Sequence, residues 1–195
     1  MDSSTYGPSF TIFIVFSLMI SLTAMDLPNK PKTLIENSCG STLYPEICKR
    51  VLLPYAKEKE IGSQFLVETL LKLSINSTVY ATKGMKELMK GKQMTGRQLQ
   101  ASQDCVVLLD DSEYNLKRSI DRIEKHKRGD FHLMINDIKT WVSAALTDDD
   151  TCTDGFSDGT LSGKLRDVVE GRIGETAKLI SIVLALIKKY ATVNA

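Results

Sequence analysis

The sequence has no surplus of charge of either sign, since 25 lysines and arginines stand against 24 aspartates and glutamates. Strong binding to nucleic acid or to an anionic membrane surface requires an excess of basic residues on the protein. The balance of charge therefore gives no support to either kind of partner. Any recognition through charge must come from a local group of residues.

Histidine is also scarce, and neither of the two histidines, His126 and His132, has a second histidine or a cysteine at the spacing of metal ligands. We interpret both as solvated surface residues. The acidic run 148–150, with Asp154, does not match a calcium-binding EF-hand loop, because Cys152 interrupts the pattern and no glycine stands at the turn position. We predict no metal site and expect these carboxylates to solvate a loop and to cap helices.

The chain lacks the catalytic motifs that can be recognised from spacing. The segment GTLSGKL, which starts at Gly159, resembles a phosphate-binding loop, but it has three rather than four residues between its glycines, and Leu165 stands where a hydroxyl is needed. No nucleophile elbow is present. The alternative is a nucleophilic catalytic site in which the fold brings together a serine, a histidine and an aspartate. We predict that the protein is not an enzyme and needs no cofactor.

No apolar run reaches the roughly 20 residues that cross a bilayer. Residues 10–22, FTIFIVFSLMISL, are almost wholly apolar but too few, and small residues follow them. We interpret residues 1–24 as a signal peptide, although its first residues contain no lysine or arginine, and a signal anchor is the alternative. Secretion then leaves residues 25–195 as a single domain that is not held in a membrane.

Helical periodicity runs through the rest of the chain, and no segment has a convincing strand pattern. Residues 34–56 are predicted to form short helical pieces broken at prolines. Apolar and small residues then recur at intervals of three and four in four longer segments, 62–89, 99–123, 131–147 and 165–190. Such helices can bury their apolar stripes only against one another. We therefore predict an all-α fold, an up-down-up-down four-helix bundle over residues 62–195 with an N-terminal helical hairpin.

The same patterns make specific predictions about helix faces and ends. The stripe of the first long helix includes Tyr80 and Gly84 as core positions. Asp130 is expected to cap the third long helix. Residues 148–163, rich in Asp, Gly, Ser and Thr, are expected to form the loop that follows it.

Four cysteines in a secreted domain permit three disulfide pairings, and the residues alone do not select one of them. Proximity favours one scheme, because Cys39 and Cys48 flank a short segment in which Pro45 supports a turn. Cys105 and Cys152 would then pair and hold the second and third long helices side by side. Buried free thiols are the alternative, although an oxidising compartment disfavours them.

Asn76 begins the sequence Asn-Ser-Thr, which is a valid signal for N-glycosylation. Lys72 and Lys83 share its predicted helix face, so the asparagine is expected to be accessible. Glycosylation of Asn76 and an unmodified asparagine are the two alternatives.

Four features make the chain resemble the plant invertase and pectin methylesterase inhibitor family over essentially all of the mature sequence. They are the segment SCGSTLYPEIC around Cys39, the pair Asp104 and Cys105 within a helix, the block VSAALTDDDTCTDGF, and a last helix that ends in an apolar run. The resemblance implies a four-helix bundle with an N-terminal hairpin. It also implies the pairs Cys39–Cys48 and Cys105–Cys152, in agreement with the scheme that proximity favours.

The resemblance further implies a function outside the cell. Such an inhibitor is expected to form a noncovalent one-to-one complex in the apoplast or cell wall, in which a face of the bundle covers the pectin-binding cleft of a pectin methylesterase. The family pattern suggests Asp111, Thr151 and Asp154 as target-binding residues. For each of them, an exposed polar residue or a loop cap is the alternative. Since no catalytic domain follows in the sequence, we expect a free inhibitor rather than the pro-region of an esterase.

Two departures from the family pattern bear on the target. Many members have Glu, Leu and Tyr shortly after the Asp-Cys pair, where residues 107–109 here are Val, Leu and Leu, so any contact from that tyrosine is lost. Invertase inhibitors carry Pro-Lys-Phe before the third helix, whereas residues 129–131 here are Gly, Asp and Phe. The resemblance is therefore closer to the pectin methylesterase inhibitors, with acid invertase as the alternative target. A secreted helical protein with another partner or with its own activity is the third hypothesis.

Overall fold

A computed structural model describes residues 30–58, 60–91, 94–127, 129–156 and 163–194 of the chain. The predicted signal peptide and most of the segment that resembles a phosphate-binding loop lie outside these residues. Within them the backbone is helical and contains no strand, so the predicted all-α fold class is confirmed.

The chain enters the fold through a short helical hairpin. Helix α1 spans Lys30–Cys39, α2 spans Pro45–Leu52, and a 3₁₀ turn follows at Leu53–Tyr55. Proline suits the first position of α2, because the N–H that it lacks would have no intrahelical acceptor there. Cys39 and Cys48 form a disulfide with a Cα–Cα distance of 5.4 Å. The predicted hairpin is therefore present, although its first helix begins before residue 34.

Four longer helical stretches form the bundle. Helix α3 spans Ser63–Lys90, α4 spans Gly96–Glu124 and α5 spans Phe131–Asp154, and the last stretch consists of α6 (Gly163–Arg166), a π-helical segment (Asp167–Ile173) and α7 (Gly174–Val193). Helix α3 packs against α4 and α7, and α5 packs against the same two helices, with the most extensive contact between α4 and α5. The helices therefore lie at the corners of a square in the predicted up-down-up-down order.

The helix ends are fixed partly by local caps and partly by tertiary contacts. Thr95 caps α4 through a capping box, in which its hydroxyl accepts from the Gln98 N–H and the Gln98 side chain accepts from the Thr95 N–H. Asp130 occupies the N-cap position of α5, but the prediction that its side chain caps the helix is wrong. Its carboxylate instead accepts from the Lys127 N–H and pairs with Arg122 at 3.0 Å, so the contact with α4 prevails over the local cap.

Helix α5 continues past its predicted end. The acidic run 148–150 and Cys152 lie inside the helix, which ends at Asp154 and not before residue 148. The buried face of α5 continues through Asp149 and Cys152 at helical spacing, so the expected start of the loop at residue 148 is wrong, because an aspartate occupies a core position. Residues 157–162 of the predicted loop lie outside the described residues. Along this part of α5, three threonine hydroxyls each donate to the carbonyl oxygen four residues earlier, namely those of Thr147, Thr151 and Thr153.

An arginine of the π-helical segment lies across α3. The guanidinium carbon of Arg172 is 4.2 Å from the centroid of the Tyr80 ring. A Cβ added at Gly84 would collide with the same guanidinium, so glycine makes room for it. Tyr80 is 58% exposed, and its prediction as a core residue is wrong, whereas Gly84 is buried as predicted.

Two apolar clusters fill the core. The larger cluster joins the hairpin to one end of the bundle, and the smaller cluster surrounds the disulfide partners Cys105 and Cys152. Between the clusters, every long helical stretch places a fully buried polar residue. These residues, called the polar layer below, are Thr78 of α3, Ser112 of α4, Asp149 of α5 and Thr176 of α7.

Candidate target-binding face

The second disulfide joins α4 to α5. Cys105 and Cys152 are both buried, and their Cα atoms lie 4.5 Å apart. At the other end of the antiparallel pair, Arg122 Nε donates to Asp137 Oδ2 at 2.8 Å. The seam between α4 and α5 is thus closed by a covalent bond at one end and by an ion pair at the other. This arrangement prevents the two helices from sliding past each other.

One outer surface of the bundle is built on this seam. The surface, called the α4–α5 face below, comprises Asp104, Val107, Leu108, Asp111, Tyr114 and Arg118 of α4 with Trp141, Asp148 and Thr151 of α5. Contacts across the seam place the two sets of side chains on the same side of the molecule, because Asp111 lies near Asp148 and Arg118 lies over the Trp141 ring.

The half of this face nearest the disulfide is acidic. Its carboxylates belong to Asp104, Asp111 and Asp148. Two more carboxylates, those of Asp150 and Asp154, lie on the adjoining flank of α5. Within the described ranges, none of the five forms an ion pair with a lysine or arginine. The surface therefore carries a local excess of negative charge that the overall balance of the chain conceals.

Burial and neighbouring charges raise the pKa of two of these carboxyls. Burial raises the pKa of Asp148, and the charge of Asp111 adds to the rise, while a hydrogen bond with Asn115 opposes it. Burial also raises the pKa of Asp150, and the charge of Asp154 adds to that rise. Neighbouring like charges disfavour ionisation. A cationic partner would therefore relieve the repulsion between Asp148 and Asp111 and between Asp150 and Asp154.

The three predicted target-binding residues are exposed, but they do not form one cluster. Asp111 and Thr151 lie on the α4–α5 face, since Asp148 is beside Asp111 and Thr151 follows about one turn later on α5. Asp154 is the last residue of α5 and lies beside Asp150, which is about 200° around the helix from Asp148. Asp154 therefore lies on the rim, across α5 from Asp111.

A shallow depression of about 340 Å³ lies beside the disulfide. Arg97, Asp104 and Leu108 of α4 and Thr151 of α5 line it, together with Gly155, which follows the end of α5. The last carbonyl groups of a helix carry partial negative charge. Together with the Asp104 carboxylate, they place negative charge opposite the Arg97 side chain, which lines the same depression.

The half of the face remote from the disulfide carries an aromatic cluster that helical periodicity alone does not reveal. The guanidinium carbon of Arg118 is 3.8 Å from the centroid of the Trp141 ring and 5.6 Å from that of the Tyr114 ring. Tyr114 is 63% exposed, and Val107, about two turns away on α4, is 61% exposed. The spacing of Tyr114 and Arg118, four residues apart on the polar side of a predicted helix, is the signal that could have identified the pair.

Asn76 is exposed near the middle of α3. The threonine of its sequon, Thr78, is buried and donates to the Ser74 carbonyl, so the folded helix covers part of the signal. Asn76 lies on α3, which packs against α4 and α7, and not on the seam between α4 and α5.

The remaining candidates from the sequence are a metal site, the two histidines and a membrane-spanning segment. Among the described residues, no group of three or more His, Cys, Asp or Glu side chains is placed to hold a metal ion. His126 Nδ1 lies 2.8 Å from the Ile123 carbonyl oxygen, and His132 is exposed beside the Phe131 ring. In the same part of the chain, no helix has the length and apolar character needed to span a membrane.

The fold and the face together define a class of protein: a small helical bundle, tied by two disulfides, with an acidic and aromatic outer surface.

Comparison with known proteins identifies the family. Residues 33–186 match the family described as plant invertase/pectin methylesterase inhibitor. The chain is 35% identical over 181 residues to a "21 kDa protein" of Daucus carota, which covers 91% of this chain and 94% of that relative. It is 32% identical over 194 residues to "Pectinesterase inhibitor 9" of Arabidopsis thaliana, which covers 93% of this chain and 94% of that relative.

A solved structure shares the fold. The crystal structure of mutant form A of a pectin methylesterase inhibitor from Arabidopsis matches with a TM-score of 0.63 at 21% identity, over 77% of this chain and 92% of that chain. The chain belongs to the plant invertase/pectin methylesterase inhibitor family, a family of inhibitor proteins and not of enzymes.

Proposed function

We propose that the protein is a secreted inhibitor that binds a pectin methylesterase noncovalently, one to one, and covers its pectin-binding cleft with the α4–α5 face. The observation that carries this proposal is the unneutralised acidic half of that face, held rigid by the Cys105–Cys152 disulfide in a chain of this family. The name of the Arabidopsis relative, a pectinesterase inhibitor, supports this target.

The charge of the face suits a cleft that binds pectin. Demethylated pectin is a polyanion, so a cleft that holds it offers cationic groups to its carboxylates. Asp104, Asp111 and Asp148 would meet those groups. Such complementarity guides association and selects against targets of the wrong charge.

The aromatic half of the face would supply contact area. Tyrosine, tryptophan and arginine are the residue types that contribute most strongly to protein interfaces. Arg118 is already stacked against Trp141, so it loses little conformational freedom when a partner covers it. The same argument holds for the whole face, because the disulfide and the Arg122–Asp137 ion pair order it before binding.

Acid invertase is the second candidate target, because the matched family includes inhibitors of both enzymes. The absence of Pro-Lys before Phe131 favours the esterase. Secretion to the cell wall is part of the proposal and rests on the predicted signal peptide, and glycosylation of Asn76 would be compatible with it.

The decisive experiment incubates the purified, oxidised protein separately with a plant pectin methylesterase and with an acid invertase. We expect stoichiometric loss of esterase activity and unchanged invertase activity. The opposite pattern would assign the invertase as the target, and unchanged activity of both enzymes would reject the inhibitor function.

The first test of the face replaces Asp111 by Ala. We expect the inhibition constant for the esterase to rise about tenfold, because a carboxylate that pairs with the target is removed. Asp154→Ala, on the rim, should have a smaller effect. The matched control is Glu87→Ala, which removes an exposed carboxylate from α3 and should leave the inhibition constant unchanged. Unaltered inhibition by the folded Asp111→Ala, Asp154→Ala double variant would remove both residues from the proposed face.

A further inference from the structure

Asp149 lies in the polar layer, where α5 passes from one apolar cluster to the other. Its side chain is 0% exposed, and the buried hydroxyl of Ser112 on α4 faces its carboxyl group. Ser112 Oγ and both carboxyl oxygens of Asp149 make no hydrogen bond of standard geometry with any described residue. A buried carboxylate in this setting is strongly disfavoured, whereas a neutral carboxyl is tolerated far better.

The surroundings of Asp149 favour its protonated form. Burial raises the pKa of Asp149 to about 7, and the charges of Asp148 and Asp150 contribute to the rise, while the Ser112 hydroxyl opposes it. The carboxyl is therefore neutral in an acidic medium and ionises as the pH passes neutrality.

The charged groups of the neighbouring helices are engaged elsewhere. On α4, Asp110 pairs with Lys86, Glu113 pairs with Lys117, and Asp111 lies near Asp148. On the last helical stretch, Arg172 lies over Tyr80, Glu175 pairs with Lys178, and Asp167 and Glu170 are exposed. Among the described residues, no cation is thus placed to compensate an ionised Asp149.

We infer that Asp149 is a positioning residue whose protonated carboxyl lets α5 pack against α4 beneath the α4–α5 face, and whose ionisation loosens that seam. The inference rests on the proposed function, because it concerns regulation of the same face. The protonated carboxyl can donate to Ser112 Oγ after a small rotation. The ionised carboxyl needs water, which it reaches only if α5 moves away from α4. Asp148 and Thr151, on the same helical turns, then shift from the geometry that binds the target.

The direct test compares the native chain with Asp149→Asn, which has nearly the same shape, can donate to Ser112 and does not ionise. Thermal unfolding of the free, oxidised protein needs no target. We expect similar melting temperatures near pH 4, where the carboxyl is largely neutral in both the folded and the unfolded chain. The native chain should then fall several degrees below Asp149→Asn as the pH rises through about 7. Parallel melting profiles over the whole pH range would overturn the inference.

Two further variants separate Asp149 from its neighbours. Asp150→Asn removes an adjacent exposed carboxylate and should leave the native fall in place, moved slightly to lower pH because removing a like charge lowers the pKa of Asp149. Ser112→Ala removes the group that opposes the rise in the pKa of Asp149, so it should move the native fall to higher pH. If Asp149→Asn fails to fold, Ser112→Ala alone still decides, and an unmoved midpoint contradicts the inference.

Binding to the esterase provides a readout that a purely structural role would not change. We expect the ratio of the native dissociation constant to that of Asp149→Asn to rise several-fold between about pH 5.5 and pH 8, because only the native seam loosens. A constant ratio would overturn the positioning role. If neither protein binds the esterase at any pH, the proposed function fails, and the melting comparison still decides whether Asp149 controls the seam.

Discussion

Tyr114 and Tyr80 are two exposed tyrosines, each with an arginine over its ring, on different sides of the bundle. Only Tyr114 belongs to the proposed binding face. If this face binds the esterase, Tyr114→Ala should raise the inhibition constant about 5- to 30-fold, as truncation of an interface tyrosine commonly costs about 1–2 kcal/mol. Inhibition titrations of the esterase would measure the change.

Tyr80→Ala is the matched control for this prediction. It removes the same ring and the same kind of arginine contact from α3, so it should leave the inhibition constant unchanged. Equal effects of the two substitutions would show that the aromatic cluster of the α4–α5 face has no special part in binding.

Asp149 also determines how stability depends on pH. Its pKa is about 7 in the fold and 3.8 for an aspartate carboxyl exposed to water, so the folded state holds the proton more tightly than the unfolded chain does. The stability that this provides is fully present below about pH 4 and is lost as the pH rises through about 7. A shift of about three units corresponds to at most about 4 kcal/mol. Urea unfolding of the native chain and of Asp149→Asn, below about pH 4 and above about pH 7, would measure this difference in the free energy of unfolding.

At the scale of residues, sequence patterns identify what is repeated or spaced, and they miss what depends on tertiary contact. Cys105 and Cys152 were predicted at the seam because cysteine in a secreted chain has few roles. The buried position of Asp149 could not be predicted, because an aspartate within an acidic run is normally exposed. The stacking of Arg118 on Trp141 depends on the register of two helices, which no single helix pattern contains.

The two disulfides act on different elements. Cys39–Cys48 closes a loop within the hairpin, whereas Cys105–Cys152 joins two bundle helices across a sequence separation of 47 residues. On the loop-entropy account, removing the longer link costs about 4 kcal/mol and removing the shorter one about 3 kcal/mol. Cys105→Ser, Cys152→Ser should therefore destabilise the bundle more and also weaken inhibition, because the seam beneath the face is loosened.

Denaturant unfolding and esterase inhibition would be measured on this variant and on Cys39→Ser, Cys48→Ser. The hairpin variant serves as the control, since its disulfide lies outside the α4–α5 face. Retention of full inhibition by the folded Cys105→Ser, Cys152→Ser variant would show that the covalent link does not prepare the face for binding.

At the scale of elements, helix number and order were predictable because four apolar stripes admit few arrangements. The end of α5 was not, since the residues that extend its buried face past Thr147 are Asp149 and Cys152 rather than aliphatic ones. The π-helical segment was also missed, because nothing in its local sequence distinguishes it from an α-helix. Its packing contact, Arg172 against Tyr80 and Gly84, forms only in the assembled bundle.

For the whole molecule, the distribution of charge matters more than its sum. Because the chain is nearly neutral, with a formal net charge of +1, long-range attraction must come from the acidic half of the α4–α5 face. We expect the association rate with the esterase to fall roughly tenfold as salt is raised from about 20 mM to about 500 mM, since screening removes electrostatic steering. Stopped-flow or surface-binding kinetics would measure it, and a rate independent of salt would contradict the role given to these carboxylates.

If the protein acts as proposed, the α4–α5 face of the folded inhibitor covers the esterase. Hydrogen exchange of the free protein and of its one-to-one mixture with a plant pectin methylesterase, read by mass spectrometry, tests this claim most directly. We expect binding to slow exchange in residues 104–118 and 141–154 and to leave the outward side of α3 unchanged. Protection confined to α3 and α7, or no protection anywhere, would contradict it.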